Sequence, residues 1–233
     1  KTNVTNCTSP NGTFTATPST ATSFELFTGA GVSAGTNTTG AFSSLNAGDY
    51  YVVGTLNGCT IQSTTLTIGN ASAPAAPVAG TSATYCEGAT LSDLTATADA
   101  GGTLTWYSDA GLTNQIGTGT SLTPSNAVGV KNYYVTETKL GCQSPATTVT
   151  ITIKAKPTIS ASKTNVTNCT TPDGTITTTS NGSSFELFTG AGVSVITNTT
   201  GIFSGLNTGD YYVVGTLNGC TAQSATLTIG NAS

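Results

Sequence analysis

Six cysteines, Cys7, Cys59, Cys86, Cys142, Cys169 and Cys220, are the residues of this chain most able to do covalent chemistry. They fall into three successive pairs, 52, 56 and 51 residues apart. Six cysteines allow about 15 pairings, but each of the three chain segments described below owns two. The expected bridges are therefore Cys7–Cys59, Cys86–Cys142 and Cys169–Cys220. A metal centre would need ligands close together or four converging, and the chain has no histidine to help. A reactive thiol would need a neighbouring base or cation, which the sequence around these cysteines does not supply. Disulfides imply an oxidising, extracytoplasmic setting.

The remaining residue types exclude most other chemistry. There is no histidine and no methionine, and all six positive charges are lysines. An imidazole base, a histidine metal ligand and an arginine phosphate clamp are thus all ruled out. The ten acidic residues are scattered, with neither the Asp-x-Asp run of a calcium loop nor a paired acid and base. No enzymatic activity, metal or cofactor is expected. Lys1, Glu25 and Asn70 recur as Lys163, Glu186 and Asn231. They could form a lysine–asparagine cross-link only if brought together, and the two partners open the first strand and close the last. A net charge of -4 and a pI near 4.4 argue against nucleic acid and anionic membranes, which bind clustered positive charge. No run approaches the roughly 18 apolar residues of a membrane span, and the chain reads as a segment of a longer protein.

The elements that position the cysteines follow from an internal repeat. Residues 1–72 recur as 163–233: KTNVTNCT at Lys1 returns at Lys163, SFELFTGAGVS at Ser23 returns at Ser184, and GDYYVVGTLNGCT at Gly48 returns at Gly209. One residue is missing from the second copy, between the counterparts of Pro18 and Thr22, which marks a tolerant surface loop. A different unit, residues 81–156, lies between the copies. The Ala/Pro-rich ASAPAAPVAG from Ala71 and KAKPTISAS from Lys154 flank it as extended linkers. The expected organisation is an alternating array that continues in the parent chain, with neighbouring repeats as its partners.

Each segment reads as strands. Threonine is the commonest residue, 52 in all, and β-branched residues suit a pleated surface. Leu66 and Ile68 alternate with Thr65 and Thr67, and Thr147 to Ile153 alternates likewise. Asn57-Gly58 and Asn218-Gly219 are two-residue hairpin turns. Upstream of each, Leu45, Gly48 and Tyr50, and Leu206, Gly209 and Tyr211, have the spacing of a tyrosine corner. The expected fold is all-β: three tandem small immunoglobulin-like β-sandwiches, each with one disulfide. Domains this small often need a staple. Closing a loop of about 52 residues would contribute on the order of 4 kcal/mol on the chain-entropy account.

Trp106, Tyr50, Tyr211 and Tyr133 are the expected structural core residues. The alternative for Trp106, with Tyr107 beside it, is a sugar-stacking platform. Phe24 and Leu26 share one strand face while Glu25 and Phe27 share the other, and Phe185 to Phe188 repeats this. Phe27 and Phe188 are therefore either rim packing or small contact points exposed along the array.

The middle unit, with Cys86, Trp106-Tyr107, Tyr133-Tyr134-Val135 and Gly141-Cys142, resembles the immunoglobulin-like modules of very large surface proteins of gliding Bacteroidetes. The flanking units, with TNVTNC early and LNxGDYYVxGTLNGC late, are similar to the short repeats of SprB-type gliding-motility adhesins. SFELF stands where the commoner repeat has a Gly-rich Pro-Tyr-x-Tyr segment. The resemblance implies a secreted, filamentous cell-surface protein, exported by the type IX system and moved along the cell by a motor. Surface polysaccharide or an abiotic surface would be its partner. The alternatives are a carbohydrate-binding module of a secreted enzyme and a surface-layer or matrix protein.

Overall fold

A computed structural model describes residues 1–17, 20–168 and 170–231. Every regular element in them is a β-strand or an isolated bridge. The chain divides into two compact units, and the intervening segment contributes to both. The first comprises Lys1–Gly80, Leu94–Leu122 and Tyr133–Val149; the second comprises Thr81–Asp93, Thr123–Asn132 and Thr150–Ser233.

In the first unit the initial repeat copy folds as two facing sheets. One sheet has the order Ser33–Asn37, Ser23–Thr28, Gly48–Leu56, Cys59–Gln62, and Leu66–Ile68 also pairs with Gly48–Leu56. The other pairs Gly12–Thr15 with Ala41–Leu45, and Thr2 bridges to Thr13. The period-two pattern sets which residues turn inward. Along Gly48–Leu56 the buried positions are Tyr50, Val52 and Gly54. Leu26 stands opposite Val52 and Phe24 opposite Gly54, and the space the glycine leaves is taken by the Ala21 methyl with the Phe24 ring beside it. Phe14, Leu45 and Ile68 complete this core with Val4. Gly12 is required by the closeness of the sheets: a Cβ there would lie 2.8 Å from Ile68 Cγ2 and from the Leu45 carbonyl oxygen.

The part of the intervening segment in this unit pairs Thr103–Tyr107 with Gln115–Thr118 on one side and with residues 134–138 on the other. Leu94–Thr97 pairs with Ser121–Leu122 and with Val78–Ala79. Trp106 is fully buried opposite Val135 in register, and its indole N–H donates to the Gly119 carbonyl at 3.0 Å. Burying an aromatic of this size requires that its one polar atom be satisfied, and Gly119 satisfies it. Glu137 is also buried, and accepts the Asp99 N–H through Oε2. Its carboxylate fills the space over Gly102, where any Cβ would come within 2.0 Å of Oε1.

In the second unit the later repeat copy has the same two sheets with one extension. Ile159–Thr164 pairs with Gly174–Ser180 over six registered positions, from Ile159 opposite Ser180 to Thr164 opposite Thr175. The stretch from Lys154 that reads as a linker thus already carries a strand from Ile159. The corresponding stretch from Ala71 likewise ends in the short strand Val78–Ala79. The core gathers Val166, Ile176, Phe185, Leu187, Phe203, Leu206, Tyr211, Val213 and Ile229, with Ile159 packed against it. Ala83–Cys86 runs parallel to residues 151–154 in this unit, with Cys86 opposite Lys154.

Candidate functional site: the cysteine-bearing hairpin turns

Three two-residue turns present a cysteine as the next residue. They are Asn57-Gly58 before Cys59, Leu140-Gly141 before Cys142, and Asn218-Gly219 before Cys220. All six turn residues have positive φ: 51° and 82°, 50° and 74°, 52° and 85° in that order. This is the backbone that matches the right-handed twist of the flanking strands, and it is why glycine holds the second place in each. Each return strand is then locked by a serine. Ser63 exchanges bonds with Val52, donating its N–H to the Val52 carbonyl at 2.8 Å while its hydroxyl accepts the Val52 N–H at 2.9 Å. Ser144 does the same with Glu137, and Ser224 with Val213. The sequence reading did not single out these serines; the recurrent Cys-x-x-x-Ser of the two copies was the available signal.

Two of the three hairpin cysteines are bridged, and neither bridge is the expected one. Cys142 is bonded to Cys7 with Cα atoms 5.0 Å apart, and Cys220 to Cys86 at 5.6 Å. Cys59 is exposed and carries a free thiol. The pairings Cys7–Cys59, Cys86–Cys142 and Cys169–Cys220 are therefore incorrect; Cys169 itself lies outside the described residues.

Strand length gives the reason. Val4 donates to the Gly69 carbonyl, which places the Cys7 loop beside the end of Gly48–Leu56 where Gly48 faces Ile68. Cys59 faces Leu56 at the other end. Eight residues of strand separate those ends by about 27 Å, several times what a disulfide can span. One bridge cannot close both ends of a repeat copy.

Each bridge instead sits in a local dock. In the first unit Cys7 donates its backbone N–H to the carbonyl of Leu140, the first turn residue, at 3.0 Å. Asn6 shapes this loop by accepting both the backbone N–H of Thr8 at 2.9 Å and its hydroxyl at 2.8 Å. Thr8 then lies against Gly141, whose Cβ, if present, would stand 2.6 Å from Thr8 Cγ2. In the second unit the first turn residue again accepts: Lys154 Nζ donates to the Asn218 carbonyl at 3.0 Å. Lys154 is the strand partner of Cys86, so two paired strands deliver the bridged sulfur and the cation together. The carbonyl of Lys154 also accepts the Glu87 N–H at 2.8 Å, which holds the Cys86 turn against it.

The loop that carries the first cysteine differs between the copies at two residues, Ser9 against Thr171 and Asn11 against Asp173, and the second of these exchanges an amide for a carboxylate. Thr5 donates its N–H to the amide oxygen of Asn11 at 2.9 Å, whereas Thr167 donates to the carboxylate of Asp173 at 2.7 Å. The Thr167 hydroxyl and then its N–H hold the Asp173 carboxyl below its ordinary value of 3.8. A carboxyl whose pKa is lowered by folding stabilises the fold above its unfolded value and loses that contribution as pH falls through the folded one. Below pH 3.8 the protection of the Thr167 amide against hydrogen exchange is therefore expected to fall, while that of Thr5 stays unchanged. Equal responses at the two threonines would contradict this assignment.

The other candidate residues lie as follows. Tyr50, Tyr211 and Tyr133 are buried with Trp106. The Tyr50 hydroxyl donates to the Asn46 carbonyl at 3.2 Å, four residues back, which closes a tyrosine corner. Phe27 and Phe188 are half-buried on the outward strand face. They stack on Tyr51 and Tyr212, with ring centroids 5.3 and 5.2 Å apart. Lys1 donates to Asn3 and to the Thr67 carbonyl. Among the described residues no group of three acidic, cysteine or histidine side chains is placed to hold a metal ion, and no helix is long and apolar enough to cross a membrane.

No curated protein matches this chain. Solved structures with similarity include the full ectodomain of mouse nectin-like molecule 4, at 12% identity, covering 100% of this chain and 98% of that one, with a TM-score of 0.33. A 1.5-MDa bacterial ice-binding adhesin is 16% identical over 94% of this chain and 89% of that one, with a TM-score of 0.42. The N-terminal four Ig domains of Dscam1 isoform 6.9 are 12% identical over 98% and 74%, with a TM-score of 0.30. Residues 74–154, the stretch that carries Cys86, Trp106 and Cys142, match the family model of the Ig-like domain described as CHU_C associated.

Proposed function

We propose that this chain is a non-enzymatic, load-bearing segment of a secreted cell-surface adhesin, built as three immunoglobulin-like modules over 1–72, 81–156 and 163–233. The overlap of the two bridges carries this reading. Cys86 lies inside the loop closed by Cys7–Cys142, and Cys142 lies inside the loop closed by Cys86–Cys220. Tension applied at the ends passes through both bridges and leaves most of the chain off the loaded path. Disulfides of this kind persist outside the reducing cytoplasm, which supports an extracellular location. The resemblance to SprB-type adhesins of gliding Bacteroidetes supports motility-linked attachment and type IX export as the setting. Polysaccharide or an abiotic surface is the partner of the whole protein, and this segment spaces the binding region from the cell.

Trp106 weighs against a carbohydrate-binding module, because its ring is sealed in the core and offers no stacking face. A spacer should wash freely from polysaccharide-coated and bare polymer surfaces, with Trp106 emission unchanged by added glycans. Retention on either surface would overturn the spacer reading, and glycan quenching of Trp106 would replace it with carbohydrate binding.

A further inference from the structure

The two bridges share one register: the first cysteine of a segment joins the hairpin cysteine of the segment that follows it. The initial repeat copy holds a hairpin of the same form with its cysteine unused. Asn57 and Gly58 have the same φ values, within a few degrees, as Asn218 and Gly219. Yet Cys220 is 1% exposed and bonded, while Cys59 and the whole strand Cys59–Gln62 are exposed, Ile61 at 69%. A second difference lies beside the hairpin. In the later copy Ile159 packs on Phe185 near Gly215, where a Cβ on that glycine would meet Ile159 Cδ1 at 3.3 Å. In the initial copy a Cβ on Gly54 would instead meet the smaller Ala21 methyl at 3.1 Å, Ala21 standing where the later copy has Gly182, and Phe24 and Gly54 line an open groove of 180 Å³ together with Val52 and Ile61.

We infer that the Asn57-Gly58-Cys59 hairpin and its groove are a covalent docking site for a preceding segment of the 74–162 type, whose Cys86 bonds to Cys59. The Lys154 of that segment donates to the Asn57 carbonyl, and its Ile159 packs on Phe24 in the groove beside the Ala21 methyl, which must give way slightly. Phe24, Gly54 and the turn match their counterparts in the later copy residue for residue, and that copy already holds these three groups. The initial copy's immediate upstream neighbour in such an array is therefore of the intervening type, not another repeat copy.

Bond formation needs a disulfide oxidant, here glutathione disulfide. The Cys59 thiolate displaces one glutathione thiolate to form a mixed disulfide. The incoming Cys86 thiolate attacks the Cys59 sulfur and expels the second glutathione thiolate. Two protein thiols and one glutathione disulfide thus become one protein disulfide and two glutathione thiols. The load-bearing reading rests on the two bridges within this chain and not on Cys59, so failure of the proposal would leave it untouched.

The test is an extended chain in which residues 74–162 are duplicated directly ahead of Lys1, with Cys142→Ser in the added copy, oxidised with glutathione disulfide. Iodoacetamide labelling and non-reducing peptide mapping are then read together. The expected result is a Cys59 peptide linked to the Cys86 peptide of the added copy, with loss of the Cys59 labelling expected of the 233-residue chain run beside it. Cys7–Cys142 and Cys86–Cys220 remain in the same digest. In a Cys59→Ser version the added copy's Cys86 should take the label. Cys59 that stays alkylatable, or joins Cys169 or any other cysteine, overturns the proposal, and so does an added Cys86 that stays protected without Cys59.

Discussion

Pulled from its two ends under oxidising conditions, the chain is expected to stop extending at about 26 nm, against about 80 nm once reduced. The covalent path explains the difference. It runs from Lys1 to Cys7, crosses to Cys142, returns backwards through the 56 residues to Cys86, crosses to Cys220 and ends at Ser233. The stretch between Cys86 and Cys142 is thus loaded against its own chain direction. Bridges confined to each segment would give almost the same end-to-end limit, so the total does not distinguish the two arrangements. Removing one bridge does. With overlapping bridges, Cys142→Ser leaves a route from Lys1 along the chain to Cys86 and across to Cys220, and lengthens the limit by only about 8 nm. Three independent clips would release about 18 nm for each clip lost. A single-molecule pulling series on the intact chain, the two single-bridge variants and the reduced chain should show small first steps and one large final one. Equal steps of about 18 nm would contradict the overlap.

Cys59 and Cys220 occupy the same position in two nearly identical copies, yet replacing them should have opposite consequences. Cys220→Ser removes a bridge enclosing 134 residues. Loss of a native disulfide commonly costs about 2–5 kcal/mol, and the long loop puts this one toward the upper end. It also leaves Cys86 with a buried, unbonded counterpart site, because position 220 is sealed from solvent. For a chain of this size the melting temperature of the affected unit should fall on the order of 10 °C. Cys59→Ser changes an exposed, unbonded thiol to a hydroxyl and should leave the melting temperature within about 1 °C. Calorimetry of the two variants beside the parent settles this. A comparable loss in both would show that Cys59 is bridged after all.

The fold was legible in the sequence because its signals are local. Alternation placed Phe24 and Leu26 inward, and Asn57-Gly58 and Asn218-Gly219 announced their turns. Trp106 and Tyr50 carry the burial and the corner bond that a sandwich asks of them. The third turn was missed because Leu140 carries no turn signal, although it adopts a φ of 50°. Ile159 looked like linker because Pro157 precedes it, yet its side chain finds the groove over Gly215.

The bridges were misread for a different reason. Sequence shows which cysteines share a segment, but pairing depends on which end of the sandwich each one reaches. The loop holding Cys7 closes on Gly69, and the nine-residue strand Gly48–Leu56 carries the chain to the far end before Cys59 appears. The rise of a strand of that length exceeds the reach of a disulfide several-fold.

Peptide mapping of the oxidised 233-residue chain tests the account at its root. The absence of arginine and the position of Lys131 leave Cys7, Cys59 and Cys86 on one tryptic peptide, so cleavage before Asp49 and after Tyr85 must be added to separate them. The account expects Cys7 linked to Cys142 and Cys86 linked to Cys220, with Cys59 alkylated. A peptide joining Cys7 to Cys59, or Cys86 to Cys142, would contradict it.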